Sequence, residues 1–545
     1  MTSPTPLADR IFFGGPILTV EDDQPSVEAL AVKGGVIARA GSMAHVEELR
    51  GPDTEMVDLG GRTLVPGFID GHAHFVQFGV QAVGAVLLAP PDGEVSTIDD
   101  LVAKLREFAS GGDIHHTGWV FGLGYDDALL GRHPDRDDLD RVSTELPVIA
   151  VHISGHFSAM NSVGLATVGY SAATPDPEGG IIRRREDGEP NGVLEELASI
   201  PVALGALSPK SWESGSYFMS RGLEMAKSYG YTTAHEGRAM AANHESMAAL
   251  AQAGVFDIDV LSYVDYTAKD VLDGPWHSRE YRDRYRVAGL KITLDGSPQG
   301  RTAWRTEPYL IPPEGQEPGY RGYPAIPDTS VVAAFFDEAY AKGWQVLTHA
   351  NGDAAADQLF AAMRRAHTSH AAADRRHVLV HGQLIRIDQL DTCAELAVIP
   401  SLFPMHTFYW GDWYEQIIGQ EAAQRISPTR SALDRVPVIT SHTDAPVALP
   451  NLMQVLWSTV NRVSRSGKVM GPDERLTPYE ALKCITIWGA YQHFEEDRKG
   501  SLKAGKLADL VILSDNPLTI DPMALNTITV QETIKEGRTV WRRTD

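Results

Sequence analysis

The second half of the sequence alternates short apolar runs with helical segments, and this rhythm constrains the fold more than any other feature. Helical segments such as Ser330–Lys342 and Ala354–His367 separate runs that have strand character. The runs are Tyr231–Glu236, Phe256–Val264, Ala288–Leu294, Trp344–His349, Arg376–His381, Ala397–Phe403 and Val436–Ser441. With Leu64–Ile69 as the first strand, the pattern predicts an α/β fold with eight parallel strands, a (β/α)8 TIM barrel.

The remaining regions predict two additions to this barrel. Short β-type runs lie near both ends of the sequence, and each group is too small to bury a core, so residues 1–62 and 496–545 are predicted to form one small β-sandwich. The barrel then takes residues 63–495. Within it, residues 77–210 break the rhythm with Pro- and Gly-rich loops, and we interpret them as an insertion after strand 1, placed over the barrel mouth. The segment Arg301–Asp328 has the composition of a lid loop.

Composition excludes several classes of function. The net charge of -24 argues against binding to nucleic acid or to a membrane surface, both of which require basic patches. Only Cys393 and Cys484 are present, so no disulfide framework and no cysteine-based zinc finger is expected. No apolar run reaches the length of a membrane-spanning helix, and no secretory signal is recognised. We therefore expect a soluble cytoplasmic protein that acts on a small molecule, with monomer and homo-oligomer both open.

The residues after the first strand are typical of a metal site. They read Asp70-Gly71-His72-Ala73-His74. Because alternate side chains on an extended backbone point the same way, His72 and His74 present two imidazoles to one side, with Asp70 in phase behind them. Neutral imidazole is a good ligand for zinc-like cations. Short motifs of this kind are common, so the assignment needs support from the other strands.

That support comes from polar residues at the ends of other predicted strands. Strand 4 carries Lys291, strands 5 and 6 end at His349 and His381, and strand 8 leads to Asp444. His349 and His381 are 32 residues apart, and Asp444 follows His381 by 63 residues. Since a barrel uses about 31 residues per βα unit, these gaps are one unit and two units. All four residues are therefore expected at the carboxyl ends of the strands, where barrel enzymes place their catalytic groups.

At this point the sequence resembles the metal-dependent amidohydrolase superfamily. The residues that carry the resemblance are His72, His74, Lys291, His349, His381, Asp444 and the segment GSLKAGKLADL at 500–510. The segments LKITLDGSPQGRTAW, HANGDAA and SHTDAPV are similar to the amidohydrolase 3 branch, whose members include N-substituted formamide deformylase. The resemblance extends over residues 11–541.

The resemblance implies a role for each of these residues. His72 and His74 would bind one divalent cation, and His349 and His381 a second. Lys291 would bridge the two as a carbamate, and Asp444 would bind the first cation and act as general base. It implies a metal-dependent hydrolase, with one or two ions of zinc, that uses metal-bound hydroxide to cleave a non-peptide carbon–nitrogen (amide) bond of a small molecule.

Alternatives remain open at two levels. Glu236, at the end of strand 2, could replace the bridging Lys291 in a site with one cation, and Val380 precedes His381 where relatives often carry Glu. The same cations could hydrolyse a cyclic amide, an ester or an aminated ring, because a shared fold does not fix the reaction. A binding or regulatory protein without catalytic activity could also retain this barrel.

Four residues are candidates for substrate binding. His156 and Asn161, in SGHFSAMNS, resemble a family segment near the substrate, although their composition equally fits a polar loop. His406 and Trp410 belong to an aromatic cluster after strand 7. Such a cluster supplies either core packing or an apolar substrate pocket.

Overall fold

The computed structural model describes residues 7–155, 157–313 and 315–544. The chain forms two compact units. The first comprises Met1–Phe75, Ala226–Asp444 and Pro450–Asp545, and the second comprises Val76–Met225 and Ala445–Leu449. Across the described residues, no helix combines the length and the apolar character that a bilayer crossing requires.

The amino-terminal residues form short strands. They are β1 (Arg10–Phe13), β2 (Ile17–Leu18), β3 (Ser26–Val27), β4 (Ala29–Lys33), β5 (Val36–Gly41), β6 (Glu55–Asp58), β7 (Thr63–Pro66) and β8 (Phe68–Ile69), with helix α1 at Met43–Glu47. Gly34 and Gly35 both have positive φ and join the antiparallel strands β4 and β5. This is the conformation that a two-residue hairpin turn requires, and glycine adopts it without steric cost.

The second unit contains one mixed sheet and its own apolar core. Its elements are α2 (Phe75–Val83), β9 (Ala85–Val86), α3 (Ile98–Ser110), α4 (Ile114–Thr117), β10 (Val120–Tyr125), α5 (Asp127–Leu130), α6 (Arg136–Asp140), β11 (Val148–His152), β12 (Phe157–Met160), α7 (Ser162–Val168), β13 (Gly180–Arg184), β14 (Pro190–Glu196), α8 (Ile200–Leu207) and α9 (Trp212–Ser228). The strand order is β13-β14-β12-β11-β10-β9. Phe121, Ile149 and Leu194 are buried in its core. The position of residues 77–210 over the barrel mouth stays a prediction.

Strands and helices alternate through most of the first unit. The strands are β15 (Tyr231–Ala239), β16 (Asp259–Asp265), β17 (Tyr285–Thr293), β18 (Val346–Ala350), β19 (Val378–His381), β20 (Ile399–Leu402) and β21 (Thr440–Ser441). The α-helices are α10 (Ala241–Gln252), α11 (Thr329–Lys342), α12 (Asp353–Ser369), α13 (Ile387–Glu395), α14 (Met405–Ile418), α15 (Gln420–Ala423), α16 (Thr429–Leu433), α17 (Leu452–Asn461), α18 (Pro478–Cys484) and α19 (Ile487–Gln492). Short 3₁₀ helices lie at Tyr266–Asp273 and Pro472–Glu474.

The strands of this region form one parallel sheet in the order β8-β15-β16-β17-β18-β19-β20-β21. Contacts beyond β8 and β21 bring the two edge strands together. The backbone N–H of Asp444 donates to the carbonyl of His72 at 3.1 Å, and the Thr443 hydroxyl donates to the Asp70 carboxylate at 2.6 Å. The eight-stranded curled sheet fits the predicted TIM-like barrel.

The predicted first strand, Leu64–Ile69, is wrong as one element. Residues 63–66 form β7, which pairs with a carboxyl-terminal strand, while only β8 joins the parallel sheet. The break falls at Gly67, where a Cβ would overlap the Thr232 side chain. Pro66 restricts the residue before it and lacks an N–H, so Pro66-Gly67 lets the chain leave one sheet and enter another.

The carboxyl-terminal residues complete the sheets that begin at the amino terminus. They form β22 (Leu510–Leu513), β23 (Val530–Lys535) and β24 (Arg538–Arg542), with a 3₁₀ helix at Pro522–Thr527. One sheet has the order β24-β23-β22-β7-β2-β3 and the other β5-β4-β1-β6. Apolar side chains from both pack together, among them Phe12, Leu30, Leu510 and Ile534. Burying each such side chain contributes about 1.5–3 kcal/mol. The predicted sandwich boundaries stay a prediction.

Candidate metal centre

Three potential ligand atoms converge where β8 ends. His72 is fully buried, and its Nε2 lies 3.6 Å from Oδ1 of Asp444. His74 is partly exposed, and its Nε2 lies 3.5 Å from the same oxygen. The ligand atoms of these three residues lie within 4.8 Å of one another. Two imidazole nitrogens and one carboxylate oxygen at this spacing are a donor set that suits a divalent cation.

Lys291 lies beside this group, near the carboxyl end of β17. Its Nζ is 3.1 Å from Nε2 of His72, and the side chain is buried. Burial lowers the pKa of Lys291 to about 7 and outweighs the attraction of Asp444 and Glu236, which acts to raise it. A substantial fraction of the amine is therefore neutral and nucleophilic at neutral pH.

His349 and His381 extend the cluster along the next two strands. Their ring centroids are 4.6 Å apart, and the His381 ring is 5.6 Å from that of His72. His349 Nε2 lies 3.1 Å from the Gly296 carbonyl, which can only accept a hydrogen bond. The ring therefore donates from Nε2, and its Nδ1 retains a lone pair for a cation. The structure thus brings together all six residues for which the sequence predicts a metal site.

Two of these residues have an unusual backbone conformation. His381 and Asp444 have φ values of 73° and 51°, in the left-handed region. This conformation costs about 1–2 kcal/mol in a residue with a Cβ. His381 is the last residue of β19, and Asp444 lies three residues after the end of β21. The side chains of both belong to the cluster. Backbone strain of this kind is frequent at functional sites.

Asp70 ties the strands that carry the ligands to one another. Its buried carboxylate accepts hydrogen bonds from the Thr443 hydroxyl at 2.6 Å, from the Tyr231 hydroxyl at 2.8 Å and from the His72 backbone N–H at 3.1 Å. Burial raises the pKa of Asp70 to about 6, although these hydrogen bonds act to lower it. The contact with Thr443 is next to Asp444, so Asp70 holds the first and last ligand segments in register.

Protonation at the cluster differs from residue to residue. Burial lowers the pKa of His72 and His381 well below the usual range and that of His349 to about 3, so these rings are neutral. For His74 burial also lowers the pKa, but the bonds to Asp444 and Glu236 outweigh it and raise the pKa to about 9. A proton and a cation compete for the same imidazole lone pair, so binding of a metal to His74 would release a proton.

Comparison with known proteins identifies the family. A model described as "Amidohydrolase family" matches residues 55–541. The chain belongs to the amidohydrolase family. Its sequence is 26% identical over 551 residues to YtcJ of Bacillus subtilis, which is itself named as a candidate amidohydrolase. The match covers 98% of this chain and 99% of the relative.

A second relative and a solved structure agree with this assignment. This chain is 25% identical over 575 residues to the N-substituted formamide deformylase of Arthrobacter pascens, and the match covers 99% of both chains. An uncharacterized metal-dependent hydrolase from Pyrococcus horikoshii shares the fold, with a TM-score of 0.75 and 24% identity, over 94% of this chain and 99% of that one. The protein is thus a metal-dependent hydrolase of the amidohydrolase family.

The residues of the amidohydrolase fit a divalent cation. The ligand atoms of His72, His74 and Asp444 are of the nitrogen and oxygen types that such ions bind, and they face one another with only 13% of the Asp444 side chain and 21% of the His74 side chain exposed. Glu236 is also near, since its Oε1 lies 3.7 Å from Nδ1 of His74. The alternative in which Glu236 replaces Lys291 therefore remains open.

The four predicted substrate contacts have different outcomes. His156 lies outside the described residues. Asn161 is fully buried, and among the described residues its side chain bonds to backbone groups of the second unit: the oxygen accepts from Val148 and Gly164, and the nitrogen donates to Ser143 and Leu146. It is the N-cap of α7, which leaves no polar atom for a substrate. We therefore interpret Asn161 as a structural residue.

The other two lie on α14 in the first unit. His406 is buried against Phe403, with ring centroids 4.4 Å apart, and Trp410 is half-buried 5.6 Å from the His406 ring. His406 Nδ1 has no hydrogen-bond partner within the part of the chain that the structure describes. Both residues stay predicted substrate contacts.

Three residues near the centre were missed by the sequence analysis. His442 contacts His381 at 3.1 Å. Asp295 accepts backbone hydrogen bonds from Asn351 and Gly352, and burial raises its pKa to about 7. Gly237 packs so closely on His72 that a Cβ would overlap the imidazole ring. Asp295 and His442 had a usable signal, because each directly follows a predicted strand, Ala288–Leu294 and Val436–Ser441.

Proposed function

We propose that this amidohydrolase cleaves a non-peptide carbon–nitrogen bond, an amide, in a small molecule. The observation that carries the proposal is the convergence of His72, His74 and Asp444 beside the amine of Lys291. In this reading the first three residues hold one cation. His349, through Nδ1, and His381 hold a second, and zinc suits the nitrogen and oxygen donors.

Lys291 would contribute as a carbamate. An ammonium group has no lone pair with which to bind a metal. Since burial lowers the pKa of Lys291 to about 7, its neutral Nζ can form a bond to the carbon of dissolved CO2 and lose a proton. The product is an anion with two oxygens, of a shape that can bridge two cations. Glu236 could supply a carboxylate instead if the site holds a single ion.

Asp444 would move the proton. Divalent ions bound here would lower the pKa of a coordinated water toward about 7 and polarise the carbonyl of the substrate. The Asp444 carboxylate, whose Oδ1 lies within 3.6 Å of both imidazole nitrogens, is placed to accept a proton at its other oxygen and to return it to the leaving nitrogen. The hydrogen bond from its own N–H to the His72 carbonyl fixes it there.

The aromatic residues on α14 would select the substrate. His406 and Trp410 form a largely apolar surface near His442, which favours a ligand with an apolar part. Both cysteines, Cys393 and Cys484, are buried free thiols, in keeping with a proposed reducing, cytoplasmic location. Hydrolysis of a cyclic amide, an ester or an aminated ring is the competing proposal for the same site.

The test combines metal analysis with a substrate screen. Purified protein is analysed for bound metal and assayed against linear amides, lactams, esters and aminated heterocycles. The proposal expects bound zinc or a similar ion and turnover of linear amides. In Lys291→Ala the bound metal should fall at least about tenfold. Retention of full metal content and activity in that variant would refute the carbamate, and a metal-free protein inactive on the whole panel would favour a binding protein.

A further inference from the structure

His442 is a buried histidine that the proposed mechanism does not use. It follows β21 and is fully buried. Its Nε2 lies 3.1 Å from Nδ1 of His381, and its Nδ1 lies 3.0 Å from the hydroxyl oxygen of Ser401. The ring also stacks on Phe403, with an interplanar angle of 25°. His381, His442 and Ser401 therefore form a hydrogen-bonded chain across the ends of β19, β21 and β20.

The direction of this chain determines whether His381 can bind a cation. Each neutral imidazole carries one N–H. If His381 donates from Nδ1 to His442, then His442 donates from Nδ1 to Ser401, and Nε2 of His381 keeps its lone pair. In the opposite direction Ser401 donates to His442, His442 donates to His381, and the hydrogen of His381 must lie on Nε2. Only the first direction leaves His381 able to act as a ligand.

His349 shows why this matters for His381 in particular. The nearest partner of His349 Nε2 is the Gly296 carbonyl at 3.1 Å, and the Asp295 carboxylate lies 3.5 Å away; neither has a hydrogen to donate, so both favour the hydrogen on Nε2. The partner of His381 is an imidazole, which can either donate or accept. Second partners of this kind orient metal-binding histidines and change metal affinity by about 10–100-fold.

We propose that His442, anchored by Ser401, is a positioning residue that holds His381 in the tautomer and orientation required by the second cation. This inference rests on the proposed function, because it assigns His381 to a cation. It concerns the second site only, because the backbone of His72 and of Asp444 is held by hydrogen bonds to the Asp70 carboxylate and to the His72 carbonyl, and neither bond involves His442.

The variants test the acceptor on His442 and its anchor on Ser401 separately. His442→Leu removes the hydrogen bond to His381, and His442→Gln retains an oxygen that can accept it. Ser401→Ala removes only the anchor. The matched control is His377→Leu, since His377 is a buried histidine immediately before β19, at the other end of the strand that carries His381.

The measurement is zinc binding to the full chain, by calorimetry and by competition with a chelator, together with thermal unfolding. We expect the wild type and His377→Leu to bind two zinc ions. His442→Leu should bind the first ion normally and the second about 10–100-fold more weakly, with His442→Gln close to the wild type and Ser401→Ala in between.

Each other outcome overturns the inference in a recognisable way. Two ions at wild-type affinity in His442→Leu would refute the role of His442 and leave the proposed function intact. An equal loss of affinity for the second ion in His377→Leu and His442→Leu would show that replacing any buried histidine near β19 weakens zinc binding, and would refute a specific role of His442. If the wild type binds one zinc ion, the second site and this inference are refuted, while a hydrolase that uses one ion is still supported. If the wild type binds no zinc, the proposed function is overturned as well.

A spectroscopic measurement covers the case in which His442→Leu does not fold. In wild-type protein labelled with 15N-histidine, the His381 resonances should show the hydrogen on Nδ1, in the metal-free and the zinc-loaded state. A hydrogen on Nε2 in the zinc-loaded protein would refute the proposal without any variant.

Discussion

The two ends of the parallel sheet treat buried charge in opposite ways. At the amino ends, Asp259 pairs with Lys499 at 2.5 Å and with Lys535 at 2.6 Å, and Arg286 pairs with Glu495 at 3.2 Å. At the carboxyl ends, Lys291 instead faces the imidazole of His72. One end satisfies its ions within the protein, and the other collects donor atoms that face one another. Barrel enzymes divide stability and catalysis between these two ends in the same way.

The pKa values express the same contrast. Attraction to Lys499 and Lys535 overcomes burial and holds the pKa of Asp259 well below its usual range, while Asp259 and Glu495 raise the pKa of Lys499 despite its burial. Each ion therefore stabilises its partner in the charged form. At the other end burial prevails at Lys291 and His72 and lowers the pKa of both, while the pKa of His74 is raised by its contacts with Asp444 and Glu236. A bound cation would take the place of the proton on His74 beside the Asp444 carboxylate.

The largest expected effect follows from Asp444→Asn. The amide keeps the volume and loses the ability to accept a proton, so turnover should fall at least about 10³-fold. Thermal unfolding should stay near that of the wild type. The exposed Asp391→Asn serves as the control for an equivalent change of charge. Wild-type rates in Asp444→Asn, measured on any substrate found in the screen, would exclude this residue as the base.

At the amino end the corresponding change should affect stability and spare metal binding. Asp259→Asn leaves two buried ammonium groups with one carboxylate fewer, and loss of a partner from a buried ion pair costs about 3–5 kcal/mol. Urea unfolding should shift to lower concentration, while the folded protein should bind as much zinc as the wild type. Loss of zinc without loss of stability would contradict the division between the ends.

Gly237→Ala should produce the intermediate effect, at the carboxyl end. The added Cβ overlaps the His72 ring, so the imidazole must leave its present position, in which Nε2 lies 3.6 Å from Oδ1 of Asp444. We expect zinc affinity to fall about 10–100-fold, with a smaller change in stability. Gly254→Ala is a useful control because a Cβ there meets no atom, although its positive φ carries a small strain of its own. Unchanged zinc affinity in Gly237→Ala would show that His72 does not need its present position.

The smallest effect is the dependence of stability on pH. Because the folded pKa of Asp259 is lowered, its contribution is fully present above the unfolded pKa of about 3.9 and is lost as the pH falls through the lower folded value. The midpoint of unfolding should therefore drop more steeply below about pH 4 in the wild type than in Asp259→Asn. Parallel curves for the two proteins would contradict the assignment of this acid-sensitive contribution to Asp259.

The proximity of the candidate ligands could be predicted from the sequence because these residues follow strand ends at regular spacing. His349 lies one residue before the end of β18, and His381 is the last residue of β19, as the spacing predicts. The break at Gly67 was missed because Leu64, Val65, Phe68 and Ile69 all have strand character, and the change of sheet depends on partners distant in sequence.

The contacts between strands could not be predicted in the same way. His442 and Asp70 act through partners 61 and 373 residues away, and periodicity cannot show which side chains meet across the sheet. A structural role for Asn161 has a local signal in the sequence. Asn161 precedes a short helix that is followed by Gly169, a pattern typical of an N-cap and a C-terminal glycine.

Anomalous X-ray scattering from crystals loaded with zinc tests the central claim most directly. The strongest peak should lie between Nε2 of His72, Nε2 of His74 and Oδ1 of Asp444, with a second near His349 and His381. The competing location is the group Asp126, Asp127 and His152 in the other unit, whose ligand atoms also lie within 4.8 Å of one another. Zinc at that group alone, with none at His72, would contradict the account.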